Sequence, residues 1–186
     1  MEVERNVAES GGHRLPGRTL EPFFITGLPR SRTAWMAAFL SDGDVFCHHE
    51  FLNYCLTREA FYDGMRRGPH RIGNSDGGLV ITDFQSKFPA SRTVVIQRDR
   101  DESFASLVEL FPPDLPVNRA AFETMADNID RLKGMKVGFS DLDSAMPDIC
   151  EYLDLPYNPD RHELFSRLNI QTTDIVLRHD IVSLWR

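Results

Sequence analysis

Arg30-Ser31-Arg32-Thr33 places two guanidiniums next to two hydroxyls, directly after the apolar run Phe23-Phe24-Ile25-Thr26 and the breakers Gly27 and Pro29. Ala34 and Trp35 then open an apolar helical pattern that runs to Leu40. A strand that turns straight into a helix aims backbone N–H groups and a positive helix end at one point, where an anion is stabilised. The guanidinium fork suits a phosphate or sulfate oxygen pair. A second group follows the run Thr93-Val94-Val95-Ile96: Arg98 lies just beyond it, and Ser106 falls inside the next helical pattern. A helix folding back over the strand tip would carry that hydroxyl to an anion held by Arg98. Both segments also have a plainer account. The first can be a loop whose arginines pair with surface carboxylates, and Asp99, Asp101 and Glu102 suit a solvated helix start.

Proton transfer has its own candidates in Cys47-His48-His49-Glu50, at the end of a second apolar run. His49 and Glu50 are residue types that take a proton near neutral pH when their surroundings tune them. Glu50 also fits the first turn of a helix, where an acid complements the dipole. Metal chemistry is not expected. Adjacent histidines cannot form an i,i+4 pair, His49-Glu50-Phe51-Leu52-Asn53 lacks the second histidine of HExxH, and His13, His70, His162 and His179 are scattered among polar residues. GxSxG is absent, and so is GxxxxGK[ST], which weakens a reading as an ATP-dependent kinase.

These residues need elements to hold them. Strands are expected at Phe23–Thr26, Asp44–Cys47, Leu79–Thr82, Thr93–Ile96 and Lys136–Phe139, with Asn74–Gly78 as a turn. Helices are expected at Thr33–Leu40, Glu50–Arg67, Asp101–Leu110, Asn118–Leu132 and Asp141–Leu153, with Gly68-Pro69 and Pro112-Pro113 as breakers. Strands that are apolar on both faces and alternate with helices imply a three-layer α/β sandwich around a mostly parallel five-stranded sheet. Ligands of such folds bind beyond the carboxyl ends of the strands. Residues 1–20 read as a polar, flexible arm, and 21–186 as a single domain.

With 186 residues, 41% hydrophobic residues and 13 Phe, the chain has ample material for a core. A net charge of −7 disfavours a partner held through its phosphates, whether nucleic acid or anionic membrane. The 21 basic residues are nevertheless lopsided, since only Lys87, Lys133 and Lys136 are not arginine. Three cysteines without CxxC spacing argue against a disulfide scaffold or zinc knuckle. With no signal-like or membrane-spanning run, a cytoplasmic protein is expected.

Taken together, Pro29-Arg30-Ser31-x-Thr33-x-Trp35 and Val94-Val95-Ile96-x-Arg98 with Ser106 resemble the sulfotransferase family that uses 3′-phosphoadenosine-5′-phosphosulfate, and within it the small bacterial or phage-type members. Val137-Gly138-Phe139-Ser140-Asp141-Leu142 and Ile149 to Pro156 look like that family's late strand and helix. The resemblance implies a fold like that of P-loop nucleoside-triphosphate hydrolases. It also implies a donor site in which Arg30, Ser31, Arg32, Thr33, Ala34 and Trp35 wrap the 5′-phosphosulfate, with Trp35 near the adenine. Arg98 and Ser106 would hold the 3′-phosphate, and Arg30 would touch the departing phosphate oxygen. Glu50 matches a glutamate that some members use as base, which puts it first and His49 second. Other members use a histidine after the third strand, where Asp83 and Lys87 stand in reserve. Arg32 replaces a glycine common in the family, and the late Arg-Lys-Gly segment is not recognisable after Pro156. The acceptor would be a small molecule or carbohydrate bearing a hydroxyl or amine, met by some of Phe51, Tyr54, Phe61, Tyr62, Phe111 and Tyr157. A kinase and a non-catalytic nucleotide-binding module remain the alternatives.

Overall fold

The computed structural model describes residues 21–67, 71–111 and 117–170. The arm expected at 1–20, both Gly68-Pro69 and Pro112-Pro113, and the tail with Arg178 and Arg186 lie outside the described residues. The chain order is β1 (Phe23–Gly27), α1 (Thr33–Leu40), β2 (Val45–His49), α2 (Arg58–Arg66), β3 (Arg71–Ser75), α3 (Phe84–Lys87), β4 (Arg92–Gln97), α4 (Arg100–Val108), α5 (Arg119–Asp130), β5 (Met135–Gly138), α6 (Met146–Leu153) and α7 (Pro159–Ser166). The five strands form one all-parallel sheet in the order β2-β3-β1-β4-β5. No helix among the described residues is long and apolar enough to cross a membrane.

Alternation along the central strands sends successive side chains to opposite faces. Phe23 and Ile25 of β1 and Val94 and Ile96 of β4 pack with Trp35, Met36 and Phe39 of α1 and Ile149 and Leu153 of α6. Phe24 faces the other way, onto Phe61, Tyr62, Met65, Phe84 and Phe88. Val95 meets Phe122, Ala126 and Ile129 of α5. Helices thus cover both faces, as expected of β-branched and aromatic strands with no polar side. Arg161 of α7 closes the end of α1: its guanidinium donates to the carbonyls of Ala38 (2.8 Å), Phe39 (3.0 Å) and Ser41 (2.8 Å).

The third strand is a correction. Leu79–Thr82 was expected to form it, but Gly77–Ile81 is a 3₁₀ turn and the strand is Arg71–Ser75. That segment carries Ile72 as its one large apolar residue, so hydrophobic patterning misses it. Its composition answers to its neighbours. Cβ of any larger residue at Gly73 would lie 2.2 Å from the Phe23 ring, and Asn74 Oδ1 accepts from the backbone N–H of Phe51 at 3.1 Å. The long helix expected at Glu50–Arg67 is likewise divided. A 3₁₀ turn spans Phe51–Tyr54, and α2 starts afresh after Thr57, whose hydroxyl accepts from Ala60 N at 3.1 Å. The expected Asp141–Leu153 helix begins only at Met146, behind a 3₁₀ turn at Phe139–Asp141.

Candidate functional site

β1, β3 and β4 deliver their carboxyl ends to one place. At the end of β1, Gly27 sits so close to β4 that a Cβ there would lie 2.9 Å from the Ile96 carbonyl oxygen. The loop that follows is wound tightly: Arg30 (φ 67°) and Arg32 (φ 60°) both occupy the left-handed region, which is unfavourable for residues bearing a Cβ. Glu50 (φ 53°) is a third such residue, and strain of this kind gathers at functional sites. Ser31, between the two arginines, is fully buried, and its hydroxyl has no hydrogen-bond partner among the described residues.

Thr57, Asp99, Asn118 and Asn158 cap α2, α4, α5 and α7 through their side chains, whereas α1, like α6, has no side-chain cap, and unlike α6 it has no acid in its first turn. Its positive end and first N–H groups, including those of Thr33 and Ala34, are therefore left for another acceptor.

The two basic segments of the sequence meet here. The Arg30 Nε donates to Ser106 Oγ at 3.3 Å, Arg98 Nη1 donates to the carbonyl of Arg30, and Ser103 Oγ donates to the carbonyl of Pro29 at 2.7 Å. α4 thus folds back over the β1–α1 loop and brings Arg30, Arg98 and Ser106 together. The Arg98 guanidinium lies 4.5 Å over the Phe139 ring, and its buried Nε has no hydrogen-bond partner among the described residues.

Two neighbours, Arg32 of the loop and Trp35 of α1, point elsewhere. Arg32 Nη1 donates to both carboxylate oxygens of Asp143 at 2.9 Å, and its guanidinium lies 4.2 Å over the Trp35 ring. Trp35 is 1% exposed, stacks on Phe39 at 5.2 Å and donates from its indole N–H to the carbonyl of Phe165 at 2.9 Å. A place near the adenine was expected for this ring. The ring is part of the core beneath the loop.

His49 and Glu50 end β2 beside this loop. His49 Nε2 lies 3.3 Å from Thr33 Oγ1 and 3.8 Å from Glu50 Oε1. Glu50 is fixed by its backbone N–H, which donates to the Ser75 carbonyl at 3.2 Å, and by Asn53 Nδ2, which donates to its Oε2 at 3.1 Å. Burial pushes the Glu50 carboxyl above its ordinary value against the Asn53 hydrogen bond. Burial lowers the His49 imidazole, partly offset by the charge of Asp76. His49 is thereby held neutral at neutral pH, able to accept a proton. His48 faces away and stacks on Phe51 at 4.2 Å.

Asp76 escaped sequence reasoning because it stands one residue beyond the strand that patterning missed. Its backbone N–H donates to the Ile25 carbonyl at 2.9 Å, and its Oδ1 accepts from Gly78 N at 2.6 Å. The residue is 3% exposed, and Oδ2 has no hydrogen-bond partner among the described residues. Burial pushes its carboxyl up and the charge of Glu50 adds to this, while the Gly78 hydrogen bond, His49 and the neighbouring Asn74 side chain oppose it. The one available signal was Asp-Gly-Gly after a short β segment. Asp83 and Lys87, held in reserve for this position, follow the 3₁₀ turn instead. Asp83 accepts from the Tyr62 hydroxyl and lies 4.0 Å from Lys87 Nζ, away from any strand end.

The expected acceptor aromatics divide as well. Phe61 and Tyr62 are core residues, Phe51 is half-buried, and Tyr54 is 73% exposed close to Glu50 in sequence. Tyr157 bonds His162 Nδ1 at 2.8 Å, on the α7 side. Among the described residues no group of three or more His, Cys, Asp or Glu side chains is placed to hold a metal ion.

The element order and all-parallel sheet define a P-loop-type α/β fold of the sulfotransferase kind. A solved structure of mouse sulfotransferase SULT7A1 complexed with PAP matches it with a TM-score of 0.54 at 15% identity, over 81% of this chain. The matched part spans 64% of the mouse protein's length. No protein-family model matches the sequence, and neither does any curated protein.

Proposed function

We propose that the chain is a sulfotransferase that uses 3′-phosphoadenosine-5′-phosphosulfate and a small-molecule or carbohydrate acceptor with a hydroxyl or amine. The observation that carries this reading is that Arg98 and Ser106 both contact Arg30 in the loop just before the uncapped start of α1. Contacts between residues 76 and 68 positions apart assemble one cationic, donor-rich site from segments that were each ambiguous alone. The unsatisfied Ser31 hydroxyl and Arg98 Nε supply two buried donors whose desolvation a bound anion would offset. The fold likeness to a sulfotransferase complexed with PAP supports the same assignment.

When bound, the donor supplies a sulfuryl group for in-line transfer. Arg30 and the first N–H groups of α1 would neutralise charge on the leaving phosphate, and such electrostatic stabilisation is commonly the largest contribution to catalysis of group transfer. Arg98 and Ser106 would bind the 3′-phosphate, Ser31, Thr33 and Ala34 would line the loop, and Trp35 would support it from behind. Arg32, tied to Asp143, would brace the loop. Glu50 and His49 stand where an acceptor's proton must go, and the neutral His49 imidazole makes it as strong a candidate as the glutamate.

The test is single-turnover transfer from ³⁵S-labelled donor to a panel of phenols, sugars and amines. Glu50→Ala and His49→Ala should each retain donor binding, and the one that removes the base should lower transfer by roughly 10²–10⁴-fold. A phosphoryl-transfer reading gains Asp76 at a strand end, where a kinase would want an acid, but lacks the Gly-Lys pair. Transfer of label from γ-³²P-ATP, with none from the sulfuryl donor, would favour it.

A further inference from the structure

We propose that Asp143 is a positioning residue for the loop that precedes α1. Its carboxylate is shared between Arg32 of that loop and His162 of α7, and this clasp keeps the loop in the shape in which a donor meets it. The inference rests on the sulfotransferase reading and names the group that holds its donor loop.

The need for a holder comes from the backbone. Arg32 stands just before α1 at φ 60°, where a residue bearing a Cβ is disfavoured and glycine is at ease. Such a conformation persists only where the surroundings impose it. Two contacts do so here. Arg32 Nη1 donates to both carboxylate oxygens of Asp143 at 2.9 Å, across 111 positions of the chain, and the guanidinium lies 4.2 Å over the Trp35 ring. Trp35 is itself fixed by its indole bond to the Phe165 carbonyl of α7.

The second arm of the clasp comes from α7. The His162 ring packs edge-on against Trp35 at 6.1 Å and Phe39 at 5.5 Å, and its Nδ1 lies 2.8 Å from the Tyr157 hydroxyl. Its Nε2 is buried with no hydrogen-bond partner among the described residues, and it faces Asp143 Oδ1 at 3.8 Å. A neutral imidazole has one N–H and one bare nitrogen. A bare Nε2 would turn its lone pair on a carboxylate, whereas an Nε2–H is attracted to it. The Tyr157 hydroxyl then donates to the bare Nδ1. The geometry thus selects the Nε2–H tautomer, and one carboxylate serves a donor from the loop and a donor from α7.

Asp143 is half-exposed, so its ion pair adds little to global stability. Its effect on binding is through population. A ligand that meets only the held loop loses apparent affinity by the fraction of molecules in which the loop is released.

Two measurements on the full chain test this. ¹⁵N-histidine NMR, with the His162 resonances assigned from their loss in His162→Phe, reads the tautomer. Nε2–H is expected, and a neutral ring protonated on Nδ1 overturns the shared carboxylate. A double-mutant cycle then reads the dissociation constant of adenosine 3′,5′-bisphosphate by calorimetry. Asp143→Asn should weaken binding about three- to fivefold in the parent, the scale of one half-exposed ion pair. In the Arg32→Gly background it should change binding little, because glycine keeps the backbone path and leaves the carboxylate no arginine to hold. If that background does not fold, Arg32→Asn, also tolerated at positive φ, takes its place. Equal weakening in both backgrounds means that Asp143 acts other than through Arg32, and it overturns the clasp, as does unchanged binding in Asp143→Asn. A parent that does not bind the bisphosphate overturns the donor reading instead, while the tautomer still decides the contact between His162 and Asp143.

Discussion

Truncating Trp35 to alanine distinguishes a ring that holds the loop from one that greets a ligand. The side chain is 1% exposed, stacked on Phe39 at 5.2 Å with planes 10° apart, and edge-on to Phe165 at 6.1 Å. Removing it leaves a cavity between α1 and α7, and Trp→Ala changes of this kind cost about 3–5 kcal/mol. In a chain of this size each kcal/mol moves the melting midpoint by roughly 2–4 °C, so a drop of roughly 6–20 °C is expected. Trp35→Phe keeps most of the packing but deprives the Phe165 carbonyl of its indole donor. That carbonyl is the smaller loss, about 1–3 kcal/mol. Thermal unfolding followed by far-ultraviolet circular dichroism reads both without depending on tryptophan emission. A Trp35→Ala variant melting within about 2 °C of the parent would refute the core assignment and return the ring to the ligand.

Arg161→Met keeps the stem of the side chain but removes the donors to Ala38, Phe39 and Ser41, and it should destabilise by about 3 kcal/mol in urea unfolding. Cys55, half-buried, should be the first thiol alkylated by iodoacetamide in the native protein. Cys47 and Cys150 are buried, with burial raising both thiols (Cys150 to about 11), and should react only after unfolding, as peptide mass mapping would show. His49 binds its proton less readily folded than unfolded, so between its folded value and 6.5 the unfolded chain carries more protons and stability rises with pH. The stability difference between parent and His49→Gln should accordingly shift in the parent's favour as pH rises to about 6.5, and level off above it. For Asp76 the sign reverses. Its folded carboxyl holds its proton more tightly than 3.8, so the advantage of Asp76→Asn should grow as pH rises above that value.

How much of this was legible in the sequence depends on what each residue packs against. Phe23–Gly27, Arg92–Gln97 and Met135–Gly138 lie close to where apolar patterning puts them, because a strand covered on both faces must be apolar on both. β3 broke the rule. Its neighbour β1 contributes Phe23, so the sheet needed glycine at 73 rather than a large residue, and Asn74 and Ser75 were spent on polar contacts at the strand tip. Missing that strand displaced the search for a third-strand base by several residues, onto Asp83 rather than Asp76.

The candidate site was legible as residue types and not as directions. Spacing put Ser106 near Arg98 at the tip of β4; in the structure both touch Arg30, which local sequence did not link to them. Arg32 of the loop and Trp35 of α1 turn away because Asp143 and Phe165 draw them from far along the chain. Nothing local in Arg30-Ser31-Arg32 separates the arginine that faces Ser106 from the one that faces Asp143.

The central claim is that this site holds a nucleotide through its 3′-phosphate. A thermal-shift titration with adenosine 3′,5′-bisphosphate, beside AMP and Mg-ATP, tests it most directly. A ligand at ~100 times its dissociation constant adds about 2.7 kcal/mol, which should raise the midpoint by roughly 5–10 °C. The account predicts that rise with the bisphosphate, none with AMP, and its loss in Arg98→Ala. A rise with Mg-ATP alone, or no response to any of the three, would contradict it.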